Sequence, residues 1–213
     1  MKKGYSKMFM WLFIGLFISF GVGYITSLNI DLIITLFTGS KFLILLLFEI
    51  GLVIFFSARI RKMSKPTAIV CYSLYSLLTG LTFGSIFLVY ELSSLITIFL
   101  ITSLIFLVFS FIGYNTKRDL SKFSMWLFMS LIGILLVGII NIFIKSSVLE
   151  MILSIIGILI FCGYIVYDLN KADALIAEIG EDKGAIFAAF QLYLDFINIF
   201  LDLLRLFGKA KDN

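Results

Sequence analysis

Seven long apolar stretches run along the chain, separated by short segments that carry most of its charges. They cover residues 8–28, 42–58, 67–90, 94–114, 123–144, 148–168 and 186–207. Each is near the roughly 20 residues that a helix needs to cross a hydrocarbon layer of about 30 Å. Their residues are apolar all round rather than alternating, which favours helices over barrel strands. The pattern predicts an all-α integral membrane protein, a seven-helix bundle in which residues 1–213 form one transmembrane domain.

The first apolar stretch resembles a signal peptide because it follows a short basic start. It is about 20 residues long, however, and no small-x-small cleavage site follows it. We therefore expect a retained first helix.

Composition supports membrane insertion and excludes several classes of chemistry. Of the 213 residues, 62% are hydrophobic and 14% are charged, whereas a soluble domain carries roughly 25% charged residues. The basic residues lie between apolar stretches, so the formal charge of +4 indicates topology and lipid headgroups, not nucleic acid. The chain has no histidine, which excludes a histidine metal site. Cys71 and Cys162 lie inside apolar stretches without CxxC spacing, and we interpret both as core residues.

The distribution of Lys and Arg predicts the orientation. A cytoplasmic N-terminus places twelve on the inner side and five on the outer side, which satisfies the positive-inside rule. The inner set is Lys2, Lys3, Lys7, Arg59, Arg61, Lys62, Lys65, Lys117, Arg118, Lys122, Lys171 and Lys183, and the outer set is Lys41, Lys145, Arg205, Lys209 and Lys211. A last segment that enters and turns back would instead return the C-terminus to the cytoplasm.

Two acidic residues are the strongest candidates for function. Asp195 lies about ten residues into the last apolar segment, and Asp168 closes the preceding one. An ionisable group at membrane depth costs roughly 3 kcal/mol on insertion scales, so it usually marks a pathway, a sensor or a partner contact. The predicted topology brings both acids, and Arg59 at the end of the second span, into the cytoplasmic half of the bundle.

Two carboxylates in one dry site cannot both ionise cheaply, so we expect the pair to titrate as a unit and to share a proton. Arg59, or Arg61 close by, would hold the deprotonated form through a charge-assisted bond and act as a latch. Calcium prefers six to eight oxygen ligands. Asp168, Asp195 and Glu49, with a few backbone or amide oxygens, would supply a weak transit site. Glu49 is either such a ligand or a protonated structural group.

The last span also carries a polar stripe that we expect to face the bundle interior. At 100° per residue its members fall within about 80° of one another; they are Gln191, Asp195, Asn198, Asp202 and Arg205. We interpret Gln191 and Asn198 as hydrogen-bonding contacts between helices. Asp202 and Arg205 are expected to form an i, i+3 ion pair. In the third span, Gly80 and Gly84 have the GxxxG spacing that permits close helix packing.

Five segments together resemble the Bax-inhibitor-one family, the transmembrane Bax inhibitor motif proteins. They are FEIGLVIFFSARIRK at 48–62, YSLYSLLTGLTFGSI at 72–86, GYNTKRDLS at 113–121, GYIVYDLN at 163–170 and LYLDFINIFLDLLRLFG at 192–208. The resemblance covers nearly the whole chain, and the last two segments at this spacing are specific for the family.

The resemblance implies a seven-helix fold with a central last helix and a pH-sensitive calcium leak. It implies a paired-aspartate sensor at Asp168 and Asp195, a latch at Arg59 or Arg61, and an acidic residue of the second helix at Glu49. Asp202 departs from relatives in which an uncharged residue is common, so the outer half of the pathway is expected to be more acidic. The short loops and tails are typical of a bacterial inner-membrane member.

The leading hypothesis is therefore a proton-regulated cation leak, with Glu49, Asp195, Asn198 and Asp202 along the ion path. No cofactor is expected beyond transient calcium and protons. A second hypothesis is a membrane interaction protein that modulates a protease or stress-response complex through a membrane-protein partner. Proton-coupled exchange of a small solute ranks third, because no inverted repeat or paired discontinuous helix is visible. An enzyme ranks last, since no nucleophile motif or metal-ligand cluster is present in the sequence.

Overall fold

The computed structural model describes residues 3–211, and within that range the chain folds into eight α-helices and no strand. The helices are α1 (Lys3–Ser27), α2 (Ile30–Phe37), α3 (Lys41–Arg59), α4 (Lys65–Val89), α5 (Leu92–Asn115), α6 (Ser121–Ile144), α7 (Ser147–Ile179) and α8 (Glu181–Phe207). A short 3-10 turn, Ile60–Lys62, follows α3. All except α2 are long and apolar enough to cross a membrane. The predictions of an all-α membrane fold and of seven spans are confirmed.

The short helix α2 was not expected from the apolar pattern. It begins after Asn29, whose side chain accepts a hydrogen bond from the backbone N–H of Leu32 at 3.0 Å. Such a cap satisfies one of the free N–H groups at a helix start. With eight residues, α2 is too short to cross the hydrocarbon layer.

The segment between the last two spans differs from the sequence-based prediction. The apolar pattern leaves a charged connection over 170–184 that could hold a turn of surface helix, but α7 continues as a helix to Ile179, and α8 begins at Glu181. Good helix formers fill this extension, including Ala172, Ala174 and Ala177. Gly180 alone breaks the helix, with a φ of +94° that a residue with a side chain rarely adopts. Asp168 therefore lies within a helix, not at its end.

The chain divides into two compact units. Unit 1 contains residues 1–90, 174–193 and 210–213, and unit 2 contains residues 91–173 and 194–209. The helices α7 and α8 each contribute one part to each unit. The expectation that residues 1–213 fold as one transmembrane domain remains a prediction.

Unit 1 is built on the close packing of α1 against α4. A side chain at Gly80 would overlap Val22, and one at Gly84 would overlap Thr26. Both glycines of the predicted GxxxG pair therefore lie at a helix contact, as expected. Gly15 of α1 makes room for the hydroxyl of Tyr72, which donates a hydrogen bond to the carbonyl of Trp11 at 2.9 Å.

The two ends of α4 mark opposite faces of unit 1. At its N-terminal end, Lys65 and Lys7 of α1 both bind Asp182 near the start of α8, at 2.8 and 2.7 Å. At its C-terminal end, the backbone N–H of Lys211 donates to the carbonyl of Val89 at 2.9 Å. Since α4 has 25 residues, about 37 Å of helix separates the two ends. The segment that follows α8 thus lies at the face opposite the start of α1, which agrees with a last helix that crosses completely.

Burial differs strongly among the spans. In the most apolar window of α8, 78% of the residues are buried, compared with 39% or less in every other span, as expected for a central last helix. In contrast, α6 exposes almost its whole surface, including Trp126 and Phe143. Exposed aromatic and aliphatic side chains of this extent suit a surface that faces lipid.

Candidate functional site

The site is built around Asp168 and Asp195 in unit 2. Their exposed fractions are 9% and 4%, and their carboxyl groups lie within hydrogen-bonding reach of one another. Two ionised carboxylates contain no donor, so a hydrogen bond between them would require a proton on one of them. Among the described residues, no N–H or hydroxyl group donates to Oδ2 of Asp195. A proton shared within the pair would satisfy these buried oxygens.

Apolar and aromatic side chains keep the pair dry. Phe196, next to Asp195 on α8, is buried and packs against Phe99 and Phe106 of α5, with ring centroids 5.3 and 5.8 Å apart. Cys162 of α7 is buried within electrostatic range of Asp195, and it is a free thiol. Water has little access to the carboxyl groups in this conformation, so their charge is poorly solvated.

The loop between α5 and α6 fixes the part of α7 that carries Asp168. Asn170 Nδ2 donates to the carbonyl of Thr116 at 2.6 Å. A Cβ on Gly113 would overlap the carbonyl of Val166 and the side chain of Leu169, so this glycine permits α5 to approach α7 closely. The segments GYNTKRDLS and GYIVYDLN are thus in direct contact, and together they position Asp168.

An ion pair strengthens the same contact. Lys171 Nζ binds Oδ1 of Asp119 at 2.5 Å. Hydrogen bonds from Lys171 and from Ser121 lower the pKa of the Asp119 carboxyl below its ordinary value. Asp119 is therefore ionised at physiological pH and holds the loop against α7.

The polar stripe of α8 continues beyond Asp195 within unit 2. Asp202 is 6% exposed, and its Oδ1 accepts a hydrogen bond from Nη1 of Arg205 at 2.6 Å, which is the expected i, i+3 ion pair. Asn198 donates to the carbonyl of Leu194 on its own helix at 2.7 Å. This bond joins residues of α8, so it gives no support to a contact between helices.

Glu49 belongs to unit 1, where the hydroxyl of Thr82 binds it. Thr82 Oγ1 donates to Oε1 of Glu49 at 2.9 Å, and Tyr75 and Tyr193 lie within electrostatic range. Tyr193 is fully buried and hydrogen bonded to the hydroxyl of Ser19 at 2.6 Å. The sequence did not single out Tyr193 or Ser19. Their signal was present in the LYLDFIN segment, where Tyr193 stands two residues before Asp195.

The two candidate latch residues have different surroundings. Arg61 binds Oε1 of Glu178 through Nε at 2.7 Å. Arg59 ends α3, is exposed, and has no ion-pair partner within residues 3–211. In this conformation Asp168 and Asp195 interact with one another.

The described residues contain no group of three or more Cys, Asp or Glu side chains that is arranged to hold a metal ion. The paired aspartates can exchange a proton and, when ionised, attract a cation. They lack the ligand number of a tight calcium site, which takes six to eight oxygens. This arrangement suits a group that senses protons or lets a cation pass, not one that stores a metal.

The fold and the buried acidic pair define a multi-pass helical membrane protein with titratable groups inside its spans. The family model described as "Inhibitor of apoptosis-promoting Bax1" matches residues 1–212. The chain belongs to this family, as the sequence resemblance indicated.

Bacterial relatives match over most of their length. The Inner membrane protein YbhL of Escherichia coli is 39% identical over 213 residues, which cover 97% of this chain and 91% of the relative. A protein of Borreliella burgdorferi is also 39% identical, over all of this chain and 94% of its own. A membrane protein of Streptococcus pyogenes is 37% identical over 76% of this chain and 71% of its own.

Proposed function

We propose that the protein is a pH-sensitive leak channel for calcium and related cations. The buried carboxyl pair of Asp168 and Asp195 carries this proposal. When the pair holds one proton, its charge is reduced and the hydrogen bond joins α7 to α8. Loss of that proton leaves two adjacent anions in a dry site, which repel one another and attract a cation.

An arginine completes the proposed gate. We assign the latch to Arg59, because Arg61 is already paired with Glu178 at 2.7 Å. The guanidinium would bind the deprotonated carboxylates through charge-assisted hydrogen bonds, and a calcium ion would compete for the same oxygens. Glu49, which accepts a hydrogen bond from Thr82, is proposed to assist the ion on its path, together with Asn198 and Asp202.

We propose the inner membrane of a bacterium as the location, with a cytoplasmic N-terminus. The name of the Escherichia coli relative supports the membrane, and the distribution of Lys and Arg supports the orientation. The paired aspartates would then lie towards the cytoplasm and respond to cytoplasmic pH.

The proposal is tested by calcium flux into vesicles that contain the purified protein, between about pH 6 and 8, where buried carboxyl groups can titrate. The parent protein should raise the flux above that of empty vesicles, in a pH-dependent manner. Asp195→Asn and Asp168→Asn should each abolish the pH dependence, since an amide cannot release a proton.

The matched control is Glu150→Gln, which neutralises an exposed acid on the same helix as Asp168. It should retain the pH profile of the parent. A flux from Asp195→Asn vesicles that follows pH like the parent would show that the pair is not the sensor. Absence of flux in parent vesicles, together with a stoichiometric membrane partner in a pull-down, would favour the interaction protein instead.

A further inference from the structure

We infer that Asp202 forms a second cation-binding subsite on the path, with the hydroxyl of Ser154 as a co-ligand and Arg205 as a displaceable internal counter-ion. This inference rests on the proposed function and adds to it a distinct site in the C-terminal half of α8. The three residues all belong to unit 2.

Asp202 is more deeply buried than a surface ion pair requires. An i, i+3 pair can form on an exposed helix face, yet the Asp202 carboxyl faces α7, where a Cβ on Gly157 would overlap its Oδ2. The absence of a side chain at Gly157 thus creates the space that Oδ2 occupies. Arg205 binds the other oxygen, Oδ1, so Oδ2 is left without a cationic partner in the described structure.

Ser154 supplies the independent sign of a ligand. Its side chain is 1% exposed, and its Oγ interacts with the Asp202 carboxyl without forming a hydrogen bond of good geometry to any described residue. A buried hydroxyl that is left unsatisfied costs about 1–3 kcal/mol, and a poorly aligned contact recovers only part of that cost. Binding of a cation or a water molecule to the Ser154 hydroxyl and the neighbouring carboxylate would remove that cost.

The position of the subsite fits a path along the α7–α8 contact. Asp195 and Asp202 are separated by seven residues, so they share a face of α8 at levels about 10.5 Å apart. Asp195 meets Asp168 of α7, and Asp202 meets Gly157, which is earlier in α7. The two helices therefore run antiparallel here and present carboxylates at two successive levels. Several weak sites in series permit an ion to enter and also to leave.

Arg205 explains how the subsite stays neutral when no ion is present. About half of its side chain is exposed, so the guanidinium can withdraw to the headgroup region, as long basic side chains do. A divalent cation that enters would replace it on the Asp202 carboxylate. Water would complete the coordination, because one carboxylate and one hydroxyl fall short of the six to eight oxygens that calcium prefers.

The test is a terbium luminescence titration of the full-length protein in detergent, with terbium as an oxygen-preferring ion. Arg205→Gln removes the competing charge and should tighten terbium binding about tenfold. Adding Asp202→Asn to this variant should abolish the gain. Adding Ser154→Ala should reduce it several-fold. Gly157→Ala changes no charge but displaces Oδ2, and it should also reduce the gain.

The inference would be overturned by no tightening in Arg205→Gln, or by a tightening that survives Asp202→Asn in a variant with the parent's elution volume and Tm. Combining Arg205→Gln with Asp195→Asn separates the two sites. The gain should persist there, and its loss would place the ion at the paired aspartates instead. Terbium binding is independent of the pH profile of the flux, so the subsite and the channel proposal fail separately.

Discussion

Asp182 and Asp195 lie thirteen residues apart on the same helix, and their carboxyl groups differ in exposure and in the groups next to them. Asp182 is near the start of α8, is about 40% exposed, and binds two lysines. Asp195 is 4% exposed, and the partner of its carboxyl group is another carboxyl group. The first charge is balanced by fixed cations, whereas a proton held within the pair would balance the second.

The difference distinguishes an anchoring carboxylate from the proposed sensor on one helix. A carboxylate held by exposed lysines keeps its charge through the physiological pH range and contributes modestly to stability. A carboxyl pair shielded from water changes its charge when it gains or loses a proton, and each change alters the force between α7 and α8.

The strongest effect is expected from replacing both members of the pair. Ordinary aspartate releases its proton near pH 3.9, whereas the folded pair is proposed to hold one proton. Folding would then take up a proton, and the free energy of unfolding should fall as pH rises, by about 1.4 kcal/mol per pH unit while the pair stays protonated. In the double variant Asp168→Asn and Asp195→Asn, this slope of stability against pH should disappear.

Denaturant titrations in detergent at several pH values measure that slope. Glu150→Gln is again the control, because it removes an exposed acid of α7 and should leave the slope unchanged. A double variant with the same slope as the parent would show that another group takes up the proton.

The second effect concerns water entry at the pair. Cys162 lies within electrostatic range of Asp195, and Cys71 is a buried thiol of unit 1. If the pair opens to water when it loses its proton, Cys162 should react several-fold faster with a small polar thiol reagent at high pH, beyond the general rise in thiolate. Cys71 serves as the internal reference for that general rise. Equal acceleration of both thiols would contradict local opening, as would a Cys162 response that persists in Asp195→Asn.

A smaller effect is expected at the anchored end of α8. Asp182→Asn removes ion pairs to Lys7 and Lys65, so Tm should fall modestly at low ionic strength. The difference from the parent should shrink in about 1 M salt, where screening acts over roughly 3 Å. The pH profile of calcium flux should stay like that of the parent. A changed profile would mean that anchoring and sensing are not separate.

The smallest effect is expected after the end of α8. Lys209 binds Glu91 at 2.8 Å, and this hydrogen bond lowers the pKa of the Glu91 carboxyl below 4.5. A lowered carboxyl pKa stabilises the contact above pH 4.5, and the contribution is lost as pH falls through the folded-state value. Glu91→Gln should therefore make the C-terminal segment slightly more sensitive to carboxypeptidase at pH 7.

Backbone hydrogen bonds also hold this segment, including one from the N–H of Glu91 to the carbonyl of Lys209 at 2.9 Å. They limit the expected effect, and they are unchanged in Glu91→Gln. A digestion rate equal to that of the parent at pH 7 would show that these backbone bonds alone hold the segment.

The apolar pattern was sufficient to predict the seven spans but not where the helices end. The last two spans illustrate the reason: the charged segment after Asp168 suggested a loop, although its alanines and long side chains are good helix formers. Hydropathy indicates which residues can lie in lipid, whereas a helix can continue beyond the membrane into water. Likewise, α2 depends on the Asn29 cap, which no apolar pattern indicates.

The class of fold, the close approach at Gly80 and Gly84, and the choice of Asp168 and Asp195 could be predicted from the order of residues, because apolar length and charge at membrane depth are properties of the chain. The folded structure was needed to show that the two carboxyl groups lie within hydrogen-bonding reach of one another and that Oδ2 of Asp202 rests over Gly157. Those contacts depend on the register between α7 and α8. Side-chain packing between the two helices sets that register, and it cannot be read from the order of residues in either helix alone.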